Sequence, residues 1–496
     1  MTKNTKSKTE KKPKAAAKKM QVLFAAFECV PFYKSGGLGD VAGSLPSYLN
    51  NASCEARVIL PKLSAIPAKY TSQMEFVESF EVYLGWRKQY CGLFRMKFGG
   101  LTYYFLDNEY YFRRFHVYGE FDDGERIAFF SKAVLEAILH MDDFAPDVLH
   151  CNDWHTALSP VFLREFYMQS EKHKNIKTVF TIHNLKFQGQ YGKFVFDDIL
   201  GLKGTPAESQ MCLEDSVNYM AGGVHYTDWI TTVSPSYADE ITGEYYGEHL
   251  DALFRERKPV TTGILNGIDY KEYDPSKDSV IAKKYTSRDI ELKKENKLAL
   301  QKELGFEQNA DIPLIVLISR LTEQKGLDLV NYILPRLLER NLQFAVLGVG
   351  DRKYEDIFGR FSAEHPDKIK TMLCFSEDLS HRFYAGADAL LMPSRFEPCG
   401  LSQMIAMRYG TLPIVRETGG LKDSVKPYNR FTKEGTGFSF ANFNADELLA
   451  CIDLCLDVYY NNKEDWAKLI QNAMAEDLSW NKAANAYRAL YRKLIR

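Results

Sequence analysis

The stretch QVLFAAFECVPFYKSGGLGDVAGSLP (residues 21–46) contains, in order, an apolar run, a glycine-rich loop and a segment with a helical pattern. An apolar run such as 21–27 is typical of a buried β-strand. The strand–loop–helix order is the first part of a βαβ unit. The loop therefore lies at the carboxyl end of a parallel strand, where open α/β sheets bind their ligands.

The same alternation continues along the chain. Further short apolar runs occur at 56–61, 147–151, 178–183, 229–234, 314–319, 344–348, 371–375, 389–393 and 412–415. Helix-length segments separate these runs, which is typical of parallel strands in βαβ units. The sequence therefore predicts an α/β protein with two doubly wound, Rossmann-like domains that face a central cleft.

The domain boundaries follow from this pattern and from a charged, proline-containing linker that begins at LNGID. We expect an N-terminal domain at 20–265 and a C-terminal domain at 266–475. A last helix at 476–496 is expected to pack back on the N-terminal domain. The tail at 1–19 holds eight lysines and one glutamate, and this composition predicts disorder rather than a secretory signal.

Composition excludes several classes of protein. Of the 496 residues, 45% are hydrophobic and 26% are charged, as in globular proteins. No apolar run approaches the roughly 18 residues that span a bilayer, so no membrane partner is expected. The net charge is −2, but the basic tail offsets a more acidic remainder of the chain. An acidic protein is not expected to bind nucleic acid, so nucleic acid is not an expected partner. The nine cysteines form no CxxC pair, which predicts reduced thiols, no metal site and a cytoplasmic location.

The glycine-rich loop of the opening stretch matches neither GxGxxG nor GxxxxGK[ST]. Its adjacent glycines Gly36 and Gly37 let the backbone approach a ligand closely. The N–H groups of the following helix favour an anion, and Lys34 adds a positive charge. The alternative is a tight turn with an exposed lysine.

Two polar clusters follow other strands of the first domain, CNDWHT (151–156) and TIHNLKFQG (181–189). Asp153 suits hydrogen bonds from sugar hydroxyls, and the neighbouring indole suits the apolar face of a sugar. A helix N-cap is the alternative for Asp153. His183 suits a sugar hydroxyl or a leaving oxygen, with a structural histidine as the alternative.

Two clusters of the second domain carry charge, SRLTEQKG (319–326) and MPSRFEPCGLSQ (392–403). The positive charges of Arg320 and Lys325 are appropriate for binding a diphosphate. The carboxylate of Glu397 could stabilise the positive charge that develops on a reacting sugar. The backbone N–H groups after Gly400 could bind a phosphate. An ordinary basic loop and a capping glutamate are the alternatives.

In their order along the chain, KSGGLGDVAGSLP, NDWHT, TIHNLKFQG, LNGID, SRLTEQKGLDL, SRFEPCGLSQ and VRETGGLKDSV resemble the bacterial and plant glycogen/starch synthase family. This family consists of retaining glucosyltransferases of the GT-B fold, and the resemblance covers nearly all of the chain after residue 20. It implies transfer of glucose from a nucleotide-glucose, usually ADP-glucose, to the non-reducing 4-OH of an α-1,4-glucan such as glycogen. It implies neither a cofactor nor a metal.

The resemblance also implies roles for individual residues. It implies that Glu397 is the main catalytic carboxylate, that Asp153 and His183 contact the sugars, and that Arg320 and Lys325 stabilise the leaving diphosphate. The substrate-binding positions that it implies are Lys34, Gly36, Gly37, Asp40, Asn266, Phe375, Cys399, Gly400, Leu401 and Ser402. Phe375 stands at the nucleobase-stacking position, where some members have tyrosine, and Asn152 stands where histidine is common.

The aromatic segment DNEYYFRRFHVY (107–118) offers rings for stacking a glucan, and Phe112 is selected, with core packing as the alternative. Three other functions compete with glucan synthesis. They are another GT-B glycosyltransferase with a different donor, such as a sucrose or trehalose-type synthase, a catalytically inactive glucan-binding scaffold, and a nicotinamide dehydrogenase. The last is suggested only by the doubly wound pattern and lacks GxGxxG, and the retained charged residues favour an active enzyme over a scaffold.

Overall fold

The computed structural model describes residues 19–213 and 215–496. Apart from Lys19, the lysine-rich tail lies outside the described residues. The prediction that this tail is disordered therefore also falls outside the described residues. The strands of the first half are β1 (Met20–Ala25), β2 (Cys54–Pro61), β3 (Glu75–Leu84), β4 (Arg87–Phe98), β5 (Leu101–Asp107), β6 (Val148–Asn152), β7 (Lys177–Ile182), β8 (Gln190–Gly192), β9 (Cys212–Leu213), β10 (Ser216–Asn218), β11 (Trp229–Thr232) and β12 (Thr261–Gly263). Its helices are α1 (Gly37–Leu49), α2 (Ala68–Thr71), α3 (Glu109–Phe112), α4 (Asp123–Leu139), α5 (Leu158–Phe162), α6 (Pro206–Met211), α7 (Tyr219–Tyr226), α8 (Pro235–Glu240) and α9 (Asp251–Arg257).

The second half is a regular alternation of strands and helices. Its strands are β13 (Leu314–Ile318), β14 (Gln343–Leu347), β15 (Ile369–Met372), β16 (Ala389–Met392), β17 (Leu412–Arg416) and β18 (Phe438–Phe440). Its helices are α10 (Lys293–Leu304), α11 (Leu327–Leu338), α12 (Arg352–Glu364), α13 (Glu377–Gly386), α14 (Ser402–Arg408), α15 (Gly419–Ser424), α16 (Ala445–Asn461), α17 (Lys463–Ala475) and α18 (Trp480–Leu494).

Two large sheets organise the described residues, and β8, β10 and β9 form a third, small antiparallel sheet in that order. The first sheet has the order β12-β11-β7-β6-β1-β2-β5-β4-β3, and its strands run parallel from β12 to β5. The second has the order β15-β14-β13-β16-β17-β18 and is parallel throughout. In each large sheet, successive strands first add on one side of the strand that comes first in the sequence, β1 or β13, and later strands add on its other side. This reversal is the arrangement of doubly wound folds. The predicted α/β class with two such sheets is confirmed.

One part of the first sheet differs from the prediction. Residues 75–107 form the antiparallel strands β3, β4 and β5, with β5 also pairing in parallel with β2. Seven of the ten residues of β3 are exposed, and its buried residues alternate with exposed ones, so this edge strand has no continuous apolar run. The pattern typical of buried parallel strands therefore does not detect it.

Each sheet has its own hydrophobic core. The last helix, α18, places Trp480, Tyr487 and Tyr491 in the core of the first sheet, and the Tyr491 hydroxyl lies 2.7 Å from Nδ1 of the buried His150. The chain therefore returns to its first half at the end. The domain boundaries at 265/266 and 475/476 stay predictions.

Two further observations concern the cysteines and the helices of the described residues. All nine cysteines lie in the described part of the chain and are free thiols. Among residues 19–213 and 215–496, no helix has the length and apolar character needed to span a bilayer.

Candidate active site

The glycine-rich loop connects β1 to α1, and Lys34 projects from it between two carboxylates. The Lys34 ammonium lies 3.0 Å from Oδ1 of Asp40 in α1 and 2.9 Å from Oε1 of Glu377 at the start of α13. Burial disfavours the charged ammonium, but the two carboxylates outweigh this effect and raise the pKa of Lys34. Since Glu377 belongs to the second half, this ion pair crosses the cleft.

The glycines at the end of this loop and in α1 fall into two kinds. A Cβ added to Gly39 would lie 2.6 Å from the Cβ of Lys34, and one added to Gly43 would lie 2.7 Å from the carbonyl oxygen of Val30. These two glycines are therefore required by packing. A Cβ at Gly36 or Gly37 would meet no atom within 4 Å. The fold itself does not require glycine there, so the two positions are free to face a ligand.

Glu28, directly after β1, holds this loop in place and was not selected from the sequence. Its carboxylate accepts hydrogen bonds from the Ser35 N–H (2.5 Å), the Ser35 hydroxyl (2.7 Å) and the Tyr118 hydroxyl (2.5 Å). Glu28 is buried. It therefore fixes the backbone next to Lys34 and ties the loop to the segment after α3.

Asp153 and His183, predicted from separate motifs, are in contact. Oδ1 of Asp153 accepts hydrogen bonds from the backbone N–H groups of His183 (2.7 Å) and Asn184 (3.3 Å). Burial raises the pKa of Asp153 to about 7, although these two hydrogen bonds act in the opposite direction. Asp153 also has a positive φ of 55°, an uncommon conformation for a non-glycine residue that is found at functional sites.

The imidazoles of this region are neutral. Burial lowers the pKa of His150, His155 and His183 to about 3 in each case. Nε2 of His183 lies 2.9 Å from Oδ1 of Asn152, the residue that stands where histidine is common in the family. An amide oxygen accepts a hydrogen bond from Nε2–H, and this contact leaves Nδ1 of His183 without its proton.

Lys325 and the buried Glu397 form a partly buried ion pair at the strand ends of the second sheet. The Lys325 ammonium lies 2.6 Å from Oε2 of Glu397, which also accepts a hydrogen bond from the Ser394 hydroxyl at 3.0 Å. Lys325 follows β13 and Glu397 follows β16, and these strands are neighbours in the sheet. The exposed side chain of Arg320, in the same loop as Lys325, makes no hydrogen bond or ion pair with any described residue.

The loop after Glu397 packs closely on the Gly419–Gly420 turn. A Cβ at Gly419 would lie 2.0 Å from the carbonyl oxygen of Glu397, and one at Gly420 would lie 2.1 Å from that of Cys399. Burial raises the pKa of the Cys399 thiol to about 12, although the neighbouring Asn266 acts in the opposite direction. The two glycines are therefore required by the packing of the loop that carries Glu397.

The remaining predicted positions of this loop surround the start of α14. Gly400 has a φ of 71°, and a Cβ there would lie 2.5 Å from Oε1 of Gln403. Leu401 is the N-cap of α14, and Ser402 lies in the first turn of this helix. Cys399, Gly400, Leu401 and Ser402 thus lie together, next to Glu397.

The two halves meet along α8 and the loops facing it. Ser236 donates from its N–H and hydroxyl to the Asp423 carboxylate at 2.7 and 2.6 Å. Oε1 of Glu240 accepts a hydrogen bond from the Gly419 N–H at 2.8 Å. The Ser234 hydroxyl donates to the carbonyl oxygen of Pro398, next to Glu397, at 2.6 Å. These contacts bring the first half directly against the loop of the second half that carries Glu397.

One predicted residue is wrong. Phe112 is only 2% exposed and packs against Phe27, Phe129 and Phe130, so it has no free face for a glucan. Phe375, by contrast, is 77% exposed, as a ring that stacks on a ligand requires.

No described hydrogen bond or ion pair joins the Asp153–His183 pair to the Lys325–Glu397 pair. In the described residues, no cluster of His, Cys, Asp and Glu side chains has the arrangement of a metal site.

Comparison with known proteins identifies the family. Residues 21–256 match the family model described as "Starch synthase catalytic domain", and residues 301–475 match "Glycosyl transferases group 1". The chain is 49% identical to a glycogen synthase of Clostridium novyi, over 96% of this chain and 99% of that protein. It is 48% identical to a glycogen synthase of Bacillus anthracis, over 96% of this chain and all of that protein. The chain belongs to the glycogen synthase family.

Solved structures agree with this assignment. The structure described as the catalytic domain of starch synthase IV from Arabidopsis thaliana bound to ADP and acarbose has a TM-score of 0.88 at 31% identity, and the match covers 96% of this chain and all of that one. A sucrose-phosphate synthase from Thermosynechococcus elongatus has a TM-score of 0.60 at 16% identity, which shows the fold alone.

Membership of the glycogen synthase family confirms three predictions. The fold is GT-B, the protein is a glucosyltransferase, and its function is that of a glycogen or starch synthase, with a nucleotide-sugar donor and a glucan acceptor. The alternative of a nicotinamide dehydrogenase is wrong. The individual roles of the site residues and the identity of the donor nucleotide stay predictions.

Proposed function

We propose that this chain transfers glucose from ADP-glucose to the non-reducing 4-OH of an α-1,4-glucan, with retention of configuration, in the cytoplasm. The observation that carries the proposal is the partly buried Lys325–Glu397 pair, whose loop also contacts the first half through the Ser234–Pro398 hydrogen bond. The related starch synthase IV structure is described as bound to ADP and acarbose, which supports an adenine nucleotide and a glucan-like ligand in a cleft of this shape.

The second half receives the nucleotide part of the donor. Arg320 and Lys325 balance the charge that develops on the diphosphate as the bond to the sugar breaks. Lys34 adds a third cation from the first half, beside the open backbone at Gly36 and Gly37. The exposed ring of Phe375 stacks on the nucleobase.

The sugar part of the donor lies between Glu397 and the first half. In the transition state, the anomeric carbon acquires positive charge, which the Glu397 carboxylate stabilises. Nδ1 of neutral His183 accepts a hydrogen bond from a sugar hydroxyl without adding positive charge next to that carbon. Asp153 holds the backbone of His183 and Asn184 in position through its two hydrogen bonds.

Retention follows from attack on the same face as the leaving group. Oε2 of Glu397 is engaged by Lys325 and Ser394, and Oδ1 of Asp153 is engaged by backbone N–H groups, which favours charge stabilisation and positioning over nucleophilic attack by these carboxylates. The bond from the anomeric carbon to the phosphate oxygen breaks, the bond to the acceptor O4 forms, and the O4 proton passes to the leaving phosphate. A covalent glucosyl-enzyme trapped on either carboxylate would contradict this mechanism.

The proposal is tested by incubating the full chain with glycogen and either ADP-glucose or UDP-glucose. Nucleotide release and glucan elongation are measured together, so that donor hydrolysis is separated from transfer. We expect transfer with ADP-glucose at a clearly higher kcat/KM than with UDP-glucose. Faster transfer from UDP-glucose contradicts the donor assignment, and no turnover with either donor favours the inactive scaffold.

A further inference from the structure

A cavity of about 290 Å³ lies between the two halves, beside the candidate active site. Its walls include Tyr245 and Tyr246 from the first half and Phe396 from the second. Phe396 directly precedes Glu397, so this wall adjoins the proposed catalytic carboxylate. We refer to the cavity lined by these three rings as the tyrosine groove.

The tyrosine groove presents aromatic surface to solvent. Tyr245 is 68% exposed and meets Tyr246 edge to face, with ring centroids 4.7 Å apart. The Tyr246 hydroxyl accepts a hydrogen bond from Nη2 of Arg416, which fixes this ring across the two halves. Exposed rings with polar neighbours suit a ligand that has apolar faces and hydroxylated edges, as a sugar does.

The charges of the groove are balanced. Lys186 and Arg395 face the cavity together with Glu248 and Glu323, and Nη1 of Arg395 donates to Oε1 of Glu323 at 2.6 Å. A phosphate site needs an excess of cationic groups that are not paired with carboxylates, such as Arg320. The balanced charge therefore favours a neutral, polyhydroxylated ligand over the diphosphate of the donor.

The backbone of one wall is held in an uncommon conformation. Glu248 and His249 are consecutive non-glycine residues with φ values of 47° and 67°. Nε2 of Gln188 donates to the carbonyl oxygen of Glu248 at 2.9 Å. Gln188 belongs to the same strand-end motif as His183, so the wall and the active site are fixed by one segment. Backbone strain of this kind is typical of functional sites.

The groove lies apart from one side of the cleft and borders the proposed diphosphate loop. Its walls include no residue of segments 30–40 or 374–384, which carry Lys34, Phe375 and Glu377. They do include Glu323 and Gln324 from the loop that carries Arg320 and Lys325. A ligand in the groove therefore lies next to the proposed diphosphate position, as an acceptor that attacks the donor requires.

We propose that the tyrosine groove binds the α-1,4-glucan acceptor close to its reacting end, with Tyr245 stacking on a glucose unit. This inference rests on the proposed function, since its ligand is the acceptor of that reaction. Both halves line the groove, so acceptor binding also requires the contacts between them.

Three variants test the inference. Tyr245→Ala removes the exposed ring, Tyr245→Phe keeps it, and Tyr332→Ala removes an equally exposed ring (67%) on α11, outside the groove. KM is measured separately for maltoheptaose and for ADP-glucose. We expect Tyr245→Ala to raise the KM for maltoheptaose about fivefold, the factor corresponding to ~1 kcal/mol of lost stacking, and to leave the donor KM unchanged. Tyr245→Phe and Tyr332→Ala should match the wild type.

A binding measurement separates this inference from the proposed function. Calorimetric titration of maltoheptaose into the unmodified protein and into Tyr245→Ala, without donor, should show weaker binding by the variant even if no turnover is found. Equal maltoheptaose affinity and equal acceptor KM in the two proteins overturn the groove assignment while leaving glucan synthesis intact. A rise in the donor KM alone also overturns it, because the groove would then belong to the donor.

Discussion

In the first half of the molecule, the strand ends carry buried, neutral imidazoles, whereas in the second half they carry charges that pair with one another. Burial lowers the pKa of His155 and His183 to about 3 and raises that of Asp153 to about 7. Across the cleft, Lys325 pairs with Glu397 at 2.6 Å. The two histidines are thus buried without charge, whereas Lys325 and Glu397 keep full charges that face each other.

This difference matches the two parts of a nucleotide-sugar. A diphosphate leaving group needs fixed cations, which Lys325 and the unpaired Arg320 supply. A reacting sugar becomes positively charged, so cationic histidines beside it would oppose the reaction. Desolvation keeps the imidazoles neutral and prevents that repulsion.

The largest effect is expected from Glu397→Gln, which tests the charged side of this comparison. The amide keeps an oxygen that can accept hydrogen bonds from Lys325 and Ser394, but it loses the negative charge facing the developing cation. We expect kcat to fall about 10³-fold, with a small change in the donor KM. The measurement is steady-state glucan elongation, with circular dichroism as the check on folding.

Glu339→Gln, an exposed carboxylate after α11, is the matched control and should keep wild-type activity. If Glu397→Gln retained activity within tenfold of the wild type, the catalytic carboxylate would lie elsewhere. The two halves would then differ in structure without differing in their roles.

Sequence reasoning succeeded where one physical rule applied directly. Parallel strands are buried on both faces and read as short apolar runs, so the strands that carry the site were predicted, whereas exposed β3 was not. The contact between Lys325 and Glu397, 72 positions apart, follows because β13 and β16 are neighbours and their carboxyl ends share an edge.

The rest depended on information that local sequence lacks. Phe112 lies in an aromatic segment, and a one-turn helix has too little periodicity to show which rings point inward. Glu28 could have been found, because it directly follows the apolar run of β1. Glu377 carries no comparable signal, since its contact with Lys34 depends on how the two halves meet.

The neutral side of the comparison is tested by pH. His155 has a pKa of about 3 in the folded protein, against about 6.5 in an unfolded chain. Below about pH 6.5 the unfolded chain binds a proton that the folded protein does not, so the stability falls as the pH decreases. At pH 5 this linkage amounts to about 2 kcal/mol for one histidine.

His155→Gln removes this titration. The loss of unfolding free energy between pH 7 and pH 5, measured by urea denaturation, should therefore shrink by about 2 kcal/mol relative to the wild type. Asp153, whose pKa is raised, loses its contribution as the pH rises through about 7, and this opposite effect is common to both proteins. His365→Gln, at an exposed position, is the control and should leave the slope unchanged. An unchanged slope in His155→Gln would mean that His155 is charged in the folded protein.

The smallest effect is expected where the two halves meet, at the Lys34–Glu377 ion pair. The Glu377 side chain is 58% exposed, so solvent weakens this contact to well under about 1 kcal/mol. Its carboxylate competes with the donor phosphates for the Lys34 ammonium. Glu377→Gln should therefore lower the KM for ADP-glucose, by about twofold, while Asp378→Asn on the same helix should leave it unchanged. A higher KM in Glu377→Gln would instead assign Glu377 to donor binding, and the second half would then present a carboxylate as well as cations to the nucleotide.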